Sequence, residues 1–251
     1  MKTTIAAALS ASLMIALSTP AEAQTRFRPQ AEPRFFLSAN GIFQLGSSTF
    51  DDRFEFEEFA ETGTIESSFE AEDAIGLGGG IGVRIWRNVG VGAAVSMYSP
   101  AESGSVVARL PHPFHFNQHR EVSGEADLKR KETAIHASLL YFVPIGERLQ
   151  AVIGAGPTFF QADQSFVNDV LYTQEYPYDT AEFTSADIDS ESASGIGFNA
   201  SLDLSWRFSK SFGVGGIVRY AQATLPFTPG DRSIDVEVGG VQAGLGIRVI
   251  F

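Results

Sequence analysis

The chain has 251 residues, no cysteine and a formal net charge of −12 at neutral pH. Without cysteine, disulfide stapling and lipid anchoring through an N-terminal cysteine are both excluded, and the acidic balance argues against nucleic acid, whose binding rests on basic patches. No residue pattern calls for a cofactor.

In chain order, the first element is a leader. Lys2 supplies the positive start, Ile5 to Leu17 an apolar run, and Ala21-Glu22-Ala23 a small-residue cleavage site before Gln24. The pattern predicts a secretory signal peptide over 1–23; the apolar run is shorter than the ~20 residues a membrane-spanning helix needs. A short N-terminal segment, 24–34, leads into one domain over 35–251.

From Phe35 onward the hydropathy has a period of two. Strands are predicted near Phe35–Gln44, Ala74–Trp86, Val89–Tyr98, Thr133–Val143, Leu149–Phe160, Ile196–Phe208, Phe212–Ala223 and Val241–Phe251. In the last, Val241, Ala243, Leu245, Ile247, Val249 and Phe251 alternate with Gln242, Gly244, Gly246, Arg248 and Ile250. In the second, Gly76, Gly78, Gly80 and Gly82 face away from Ile75, Leu77, Ile81, Val83 and Ile85. About 11 residues at about 3.3 Å each, tilted near 45°, climb roughly the 25 Å of an outer-membrane apolar band.

The connections alternate in length. Arg87-Asn88, Pro144 to Arg148 and Ser209 to Ser211 are tight turns, whereas 46–73, 99–132, 161–194 and 224–235 are long and polar. Short turns at one end and long loops at the other mark an all-β, eight-stranded antiparallel up-and-down transmembrane β-barrel with four long extracellular loops. Its apolar face is rich in Ile, Leu and Val, and its opposite face in Gly, Ser, Asn and Ala with isolated charges, which suits lipid outside and a crowded lumen inside. Trp206, Phe208, Phe212 and Phe251 fall at the short-turn end, and Tyr98, Phe159 and Tyr220 at the other, as two aromatic girdles would.

The segments GGGIGVRIWRNVGVGAAVSMY, LLYFVPIGERLQAVIGAGPTFF, LDLSWRFSKSFGVGGIVRYAQA and VQAGLGIRVIF resemble the outer-membrane protein β-barrel domain family, which includes the OmpA membrane domain and OmpX- and OmpW-like relatives. The resemblance spans about 35–251 and lies in strand–turn–strand rhythm. It implies the fold and an outer-membrane location in a Gram-negative envelope, with lipid and lipopolysaccharide as neighbours, and carries no activity with it. Phe251 resembles the C-terminal signal that the barrel assembly machinery reads. OmpA's peptidoglycan-binding domain has no counterpart in the sequence, so cell-wall anchoring is not expected.

Four constellations carry chemistry. Arg84, Asp203, Arg207, Arg219 and Arg248 are lumen charges; they suit either an anion-selective constriction or a plug of ion pairs, and the plug is favoured because eight strands leave an interior just wide enough for side chains. The acidic loops include Asp187, Asp189 and Glu191 along one strand edge, which could offer oxygens to Ca²⁺, against a plain solvated surface. His112, His115 and His119 could hold Zn²⁺ or Cu²⁺, against unspecific loop histidines, since Pro111 and Pro113 disfavour a helix. His136-Ala-Ser138 is similar to the His-x-Ser pair of the outer-membrane lipid A deacylase family. Leu139, however, replaces that family's Asn, and Glu147 lies at the far end, so no catalytic residue is predicted. The expected function is a non-enzymatic structural or surface-interaction role, with an extracellular ligand undefined. The alternative is a narrow channel for small or hydrophobic solutes, as OmpW-like relatives suggest; an apolar lining near the outer end would favour it.

Overall fold

The computed structural model describes residues 34–45, 49–71, 74–99, 101–230 and 232–251; the leader expected over 1–23 lies outside them. The strands in chain order are β1 (Phe35–Leu45), β2 (Thr49–Glu58), β3 (Glu61–Ala71), β4 (Ala74–Trp86), β5 (Val89–Tyr98), β6 (Ala101–Pro111), β7 (His119–Pro144), β8 (Leu149–Gln174), β9 (Ala181–Arg207), β10 (Phe212–Phe227) and β11 (Ile234–Ile250).

Eight of these close a ring of antiparallel neighbours in the order β1, β4, β5, β7, β8, β9, β10, β11. Closure comes from β11 returning to β1, with Phe36 opposite Ile250 and Leu45 opposite Val241. A closed ring has no edge strand to protect, and every backbone group of the wall can pair. Two of the inward glycines have a steric reason. A Cβ on Gly82 would lie 1.9 Å from the Phe36 ring, and one on Gly76 would lie 2.5 Å from the Tyr98 ring; glycine there lets aromatic side chains fill the lumen.

The short-turn ends fall where the sequence predicts them, and so do the outer ends of β1, β4 and β5, but β7 to β11 run beyond theirs. β7, β8 and β9 are 26, 26 and 27 residues long, more than twice the ~11 residues that cross a bilayer. β8 and β9 stay paired from Gln161↔Ser194 up to Gln174↔Ala181. The first half of β7 leaves the ring to pair with β6, which pairs with β3, which pairs with β2. Much of three of the four segments expected as long polar loops is therefore strand. The cause is an apolar or small residue at every second position beneath the charges: Phe50, Phe54 and Phe56; Val106, Ala108 and Leu110; Val122, Ala126 and Leu128. High charge density hid this alternation.

The two outer sheets pack face to face as a β-sandwich. Ile65, Phe69, Val106, Leu110, Val122 and Leu128 from one meet Val167, Val170, Tyr172 and Phe183 from the other. Below them, Leu225, Phe227, Val236 and Val238 of the β10–β11 hairpin pack on Phe160, Ala162, Phe166 and Ala134 of β8 and β7, so an apolar lid fills the outer end of the lumen. In β11 this begins at Gly239 and Gly240, both at positive φ; a Cβ on Gly239 would stand 2.1 Å from the Ala221 carbonyl oxygen, a position only glycine takes without strain.

Candidate functional site

Three surfaces come from this frame: the outside of the wall, the lumen and the outer sandwich. The outside is apolar on all eight ring strands, through Leu37, Leu77, Val91, Leu139, Ile153, Leu202, Val218 and Leu245 among others. A soluble protein rarely exposes a contiguous apolar patch beyond a few hundred Å², and this one encircles the wall. Trp86, Trp206, Phe208, Phe212 and Phe251 are exposed near the short turns, and Phe159, Phe198 and Tyr220 toward the other end. Tyr98 departs from the girdle expected of it: it is buried, pointing inward, because its position in β5 shares the lumen-facing parity of Ser96. Leu245 is 76 % exposed in mid-strand. Replacing it with arginine is expected to destabilise the protein folded in lipid vesicles by about 2–4 kcal/mol, measured by denaturant titration; in a water-facing wall the same change would be near neutral.

Inside, Arg248 is 2 % exposed. Its Nε and Nη2 donate to both oxygens of Asp203 at 2.6–3.2 Å, and its Nη1 donates to Asn40 Oδ1 at 2.7 Å. A bidentate guanidinium–carboxylate pair with a third acceptor is the geometry that offsets the cost of burying both charges. Toward the short-turn end, Arg84 lies over the Phe142 ring at 4.5 Å, Phe142 meets Phe36 edge-on, and Arg207 Nη2 donates to the Glu147 carbonyl at 2.7 Å. The pocket at this mouth, lined by Phe36, Asp203 and Arg248, offers ≈ 20 Å³, room for about one water.

Higher in the lumen, His136 shares hydrogen bonds with Ser96 Oγ through Nε2 and with Thr158 Oγ1 through Nδ1, both at 2.9 Å. Ser138 Oγ donates to Asn199 Oδ1 rather than to the histidine. Among the described residues, the His136–Ser138 pair thus sits in a lumen network of hydroxyl and amide groups. Above it Arg130 and Glu132 form a buried ion pair, tied to the lid by Arg130 Nη2 donating to the Glu237 carbonyl and Gly239 N donating to Glu132 Oε2. This pair was beyond sequence reasoning, because the predicted strand began at Thr133. Asn40, Asn199 and Gln242 were legible in principle, as polar residues at lumen-facing positions.

On the outer sandwich the histidines serve the β6–β7 turn. His112 is buried, and its Nδ1 accepts from the backbone N–H of Phe114 and His115 at 3.1 and 3.2 Å. The His112 and His115 rings are 4.7 Å apart, whereas His119 Nε2 meets the Thr62 carbonyl. Asp187 and Asp189 are exposed and Glu191 half-buried along one face of β9; Asn168 donates to Asp189 at 2.7 Å. Among the described residues no three such side chains converge as a metal ion requires. Arg232, which no motif flagged, ties three elements: it donates to Asp52 Oδ2 at 2.8 Å and to Asn168 Oδ1 at 3.1 Å, and covers the Phe54 ring at 4.0 Å. Burial raises the Asp52 carboxyl above its ordinary range, against the pull of Arg232. Burial, reinforced by Glu58 accepting from its hydroxyl at 2.9 Å, pushes the Tyr172 phenol up to about 12. The outward face of β2, β3, β6 and upper β7 carries Asp51, Glu55, Glu57, Glu66, Glu121, Glu125 and Asp127, with Arg53 paired to Glu66 at 3.0 Å.

No family model and no curated protein matches the chain. Solved structures similar to it include Neisserial surface protein A (12 % identity, 86 % of this chain and 97 % of that one, TM-score 0.44). Two others are Ail, the attachment invasion locus protein of Yersinia pestis (13 %, 86 % and 99 %, 0.39), and the outer membrane protease OmpT of Escherichia coli (8 %, 91 % and 100 %, 0.48). The molecule's own surface settles its setting, since a closed wall that is greasy on every strand and polar within is stable only in lipid: the chain is an eight-stranded outer-membrane β-barrel.

Proposed function

We propose that the protein is a non-enzymatic surface barrel that holds its acidic β-sandwich out from the bacterial outer membrane for contact with structures outside the cell. The observation behind this reading is the sandwich itself: residues with the composition of solvated loops share a hydrophobic core and present a carboxylate-rich face. A fixed face loses little conformational entropy on binding, which favours recognition. In this proposal residues 1–23 direct export, the assembly machinery reads Phe251, and lipid and lipopolysaccharide surround the wall.

Displayed on a non-adherent bacterium, the wild-type protein should raise attachment to animal-cell monolayers or amine-coated surfaces. Reversing Glu55, Glu57, Glu121 and Glu125 to lysine should return attachment to background while surface abundance and heat-modifiable gel mobility stay unchanged. Equal attachment by both proteins rejects the proposal. The second reading, a narrow path for hydrophobic solutes, draws on the apolar outer end of the lumen. Because those side chains pack on one another, large conductance in planar bilayers is not expected, and observing it would favour the channel.

A further inference from the structure

Arg219 and Arg248 point into the lumen in the membrane-spanning part of the wall; among the described residues the inward carboxylates nearest them are Asp203 of β9 and, opposite Tyr98, Glu132, which is paired with Arg130. Asp203 gives both oxygens to Arg248. Arg219 is 7 % exposed; its Nε finds no acceptor, and no carboxylate among the described residues reaches it as an ion pair. A guanidinium stays protonated at any physiological pH, so neutralising itself is not open to this group, and a buried charge without a counter-charge is strongly unfavourable.

The neighbours supply the rest of a site. Register sets Arg219 opposite Gln242 of β11, and Gln242 opposite Gln44 of β1. Gln242 is buried, and neither its amide nitrogen nor its oxygen has a partner among the described residues. From β5 the buried Tyr98 hydroxyl, likewise without a partner, lies within electrostatic reach of Arg219. A guanidinium fork, a phenolic O–H and an amide N–H₂ are all donors. Donors around a cation that makes no direct ion pair, in a narrow, low-dielectric space, select a small anion over a neutral ligand.

We propose that Arg219, the Tyr98 hydroxyl and the Gln242 amide hold one small monovalent anion of the halide class inside the barrel. The anion is a bound counter-ion of the plug: the Arg248–Asp203 ion pair below it and the apolar lid above it both restrict its exit.

Bromide is the probe. Crystals of the full barrel equilibrated with sodium bromide should give an anomalous peak at the Arg219 guanidinium. In detergent, replacing gluconate by chloride or bromide at constant ionic strength should raise the temperature at which the compact form is lost, saturably and by about 3 °C. Arg219→Lys should keep that response and Arg219→Gln should lose it. The proposal is overturned if wild-type crystals show water or a protein carboxylate on Arg219 without bromide signal, or if Arg219→Gln responds to halide as the wild type does. The crystallographic result decides the matter even where a variant does not fold.

Discussion

Replacing Asp203 with alanine is expected to cost the folded barrel about 3–5 kcal/mol, the usual penalty for stranding one partner of a buried ion pair. Arg248 would keep only Asn40 and the Ile247 carbonyl as acceptors, and Arg219 would lose the nearest negative charge on its level. Urea titration of the micelle-folded protein, followed through Trp86 and Trp206, measures the loss. The double variant Asp203→Leu, Arg248→Met should recover most of it, because an apolar pair of similar volume removes both desolvation costs. A loss below about 1 kcal/mol for the single variant would mean that water reaches Arg248 freely, and the lower lumen would then be an aqueous path instead of a plug.

The second large effect lies where the lid meets the sandwich. Phe166 is 0 % exposed and stands between Phe50 at 5.8 Å and Phe227 at 5.4 Å, linking β8 to the edge strand β2 and to the β10–β11 lid. Phe166→Ala removes a ring from a site closed on three sides, for an expected loss of about 3–5 kcal/mol. The loss should be local. Protease added to intact cells should cut the outer strands of the variant faster, while the membrane-embedded ring retains its heat-modifiable mobility, since Phe50 pairs within the outer sheet and Phe227 pairs with Ile234 at the outer tip of the β10–β11 hairpin. Unchanged proteolysis would show that the outer strands are not held by this core.

Both effects bear on how the two proposals fit together. A sandwich built on β7, β8 and β9 as they rise out of the ring needs a rigid base, and the ion-paired, lidded lumen provides one. The same filling that stiffens the base argues against conduction, so surface contact and a closed lumen are expected together.

By itself the sequence determined the membrane-spanning part: the number of ring strands, their short-turn ends and the face each turns to lipid. Hydrocarbon enforces that pattern residue by residue, since Leu77, Leu245 and Ile247 can point nowhere else without cost. The lumen charges were legible by parity for the same reason, as Arg248 and Asp203 sit at inward positions of β11 and β9. That Arg248 takes both oxygens of Asp203 and leaves Arg219 without a carboxylate was decided by the tertiary structure alone, because pairing across a lumen depends on the stagger of strands that are not sequence neighbours. The sandwich was likewise hidden. Phe50, Phe69, Val122 and Phe183 bury one another only when three separate connections meet above the membrane, and each connection alone reads as charged, solvated chain. Lipid acts on each strand separately and so writes its demand into local sequence, whereas a core assembled from distant segments does not.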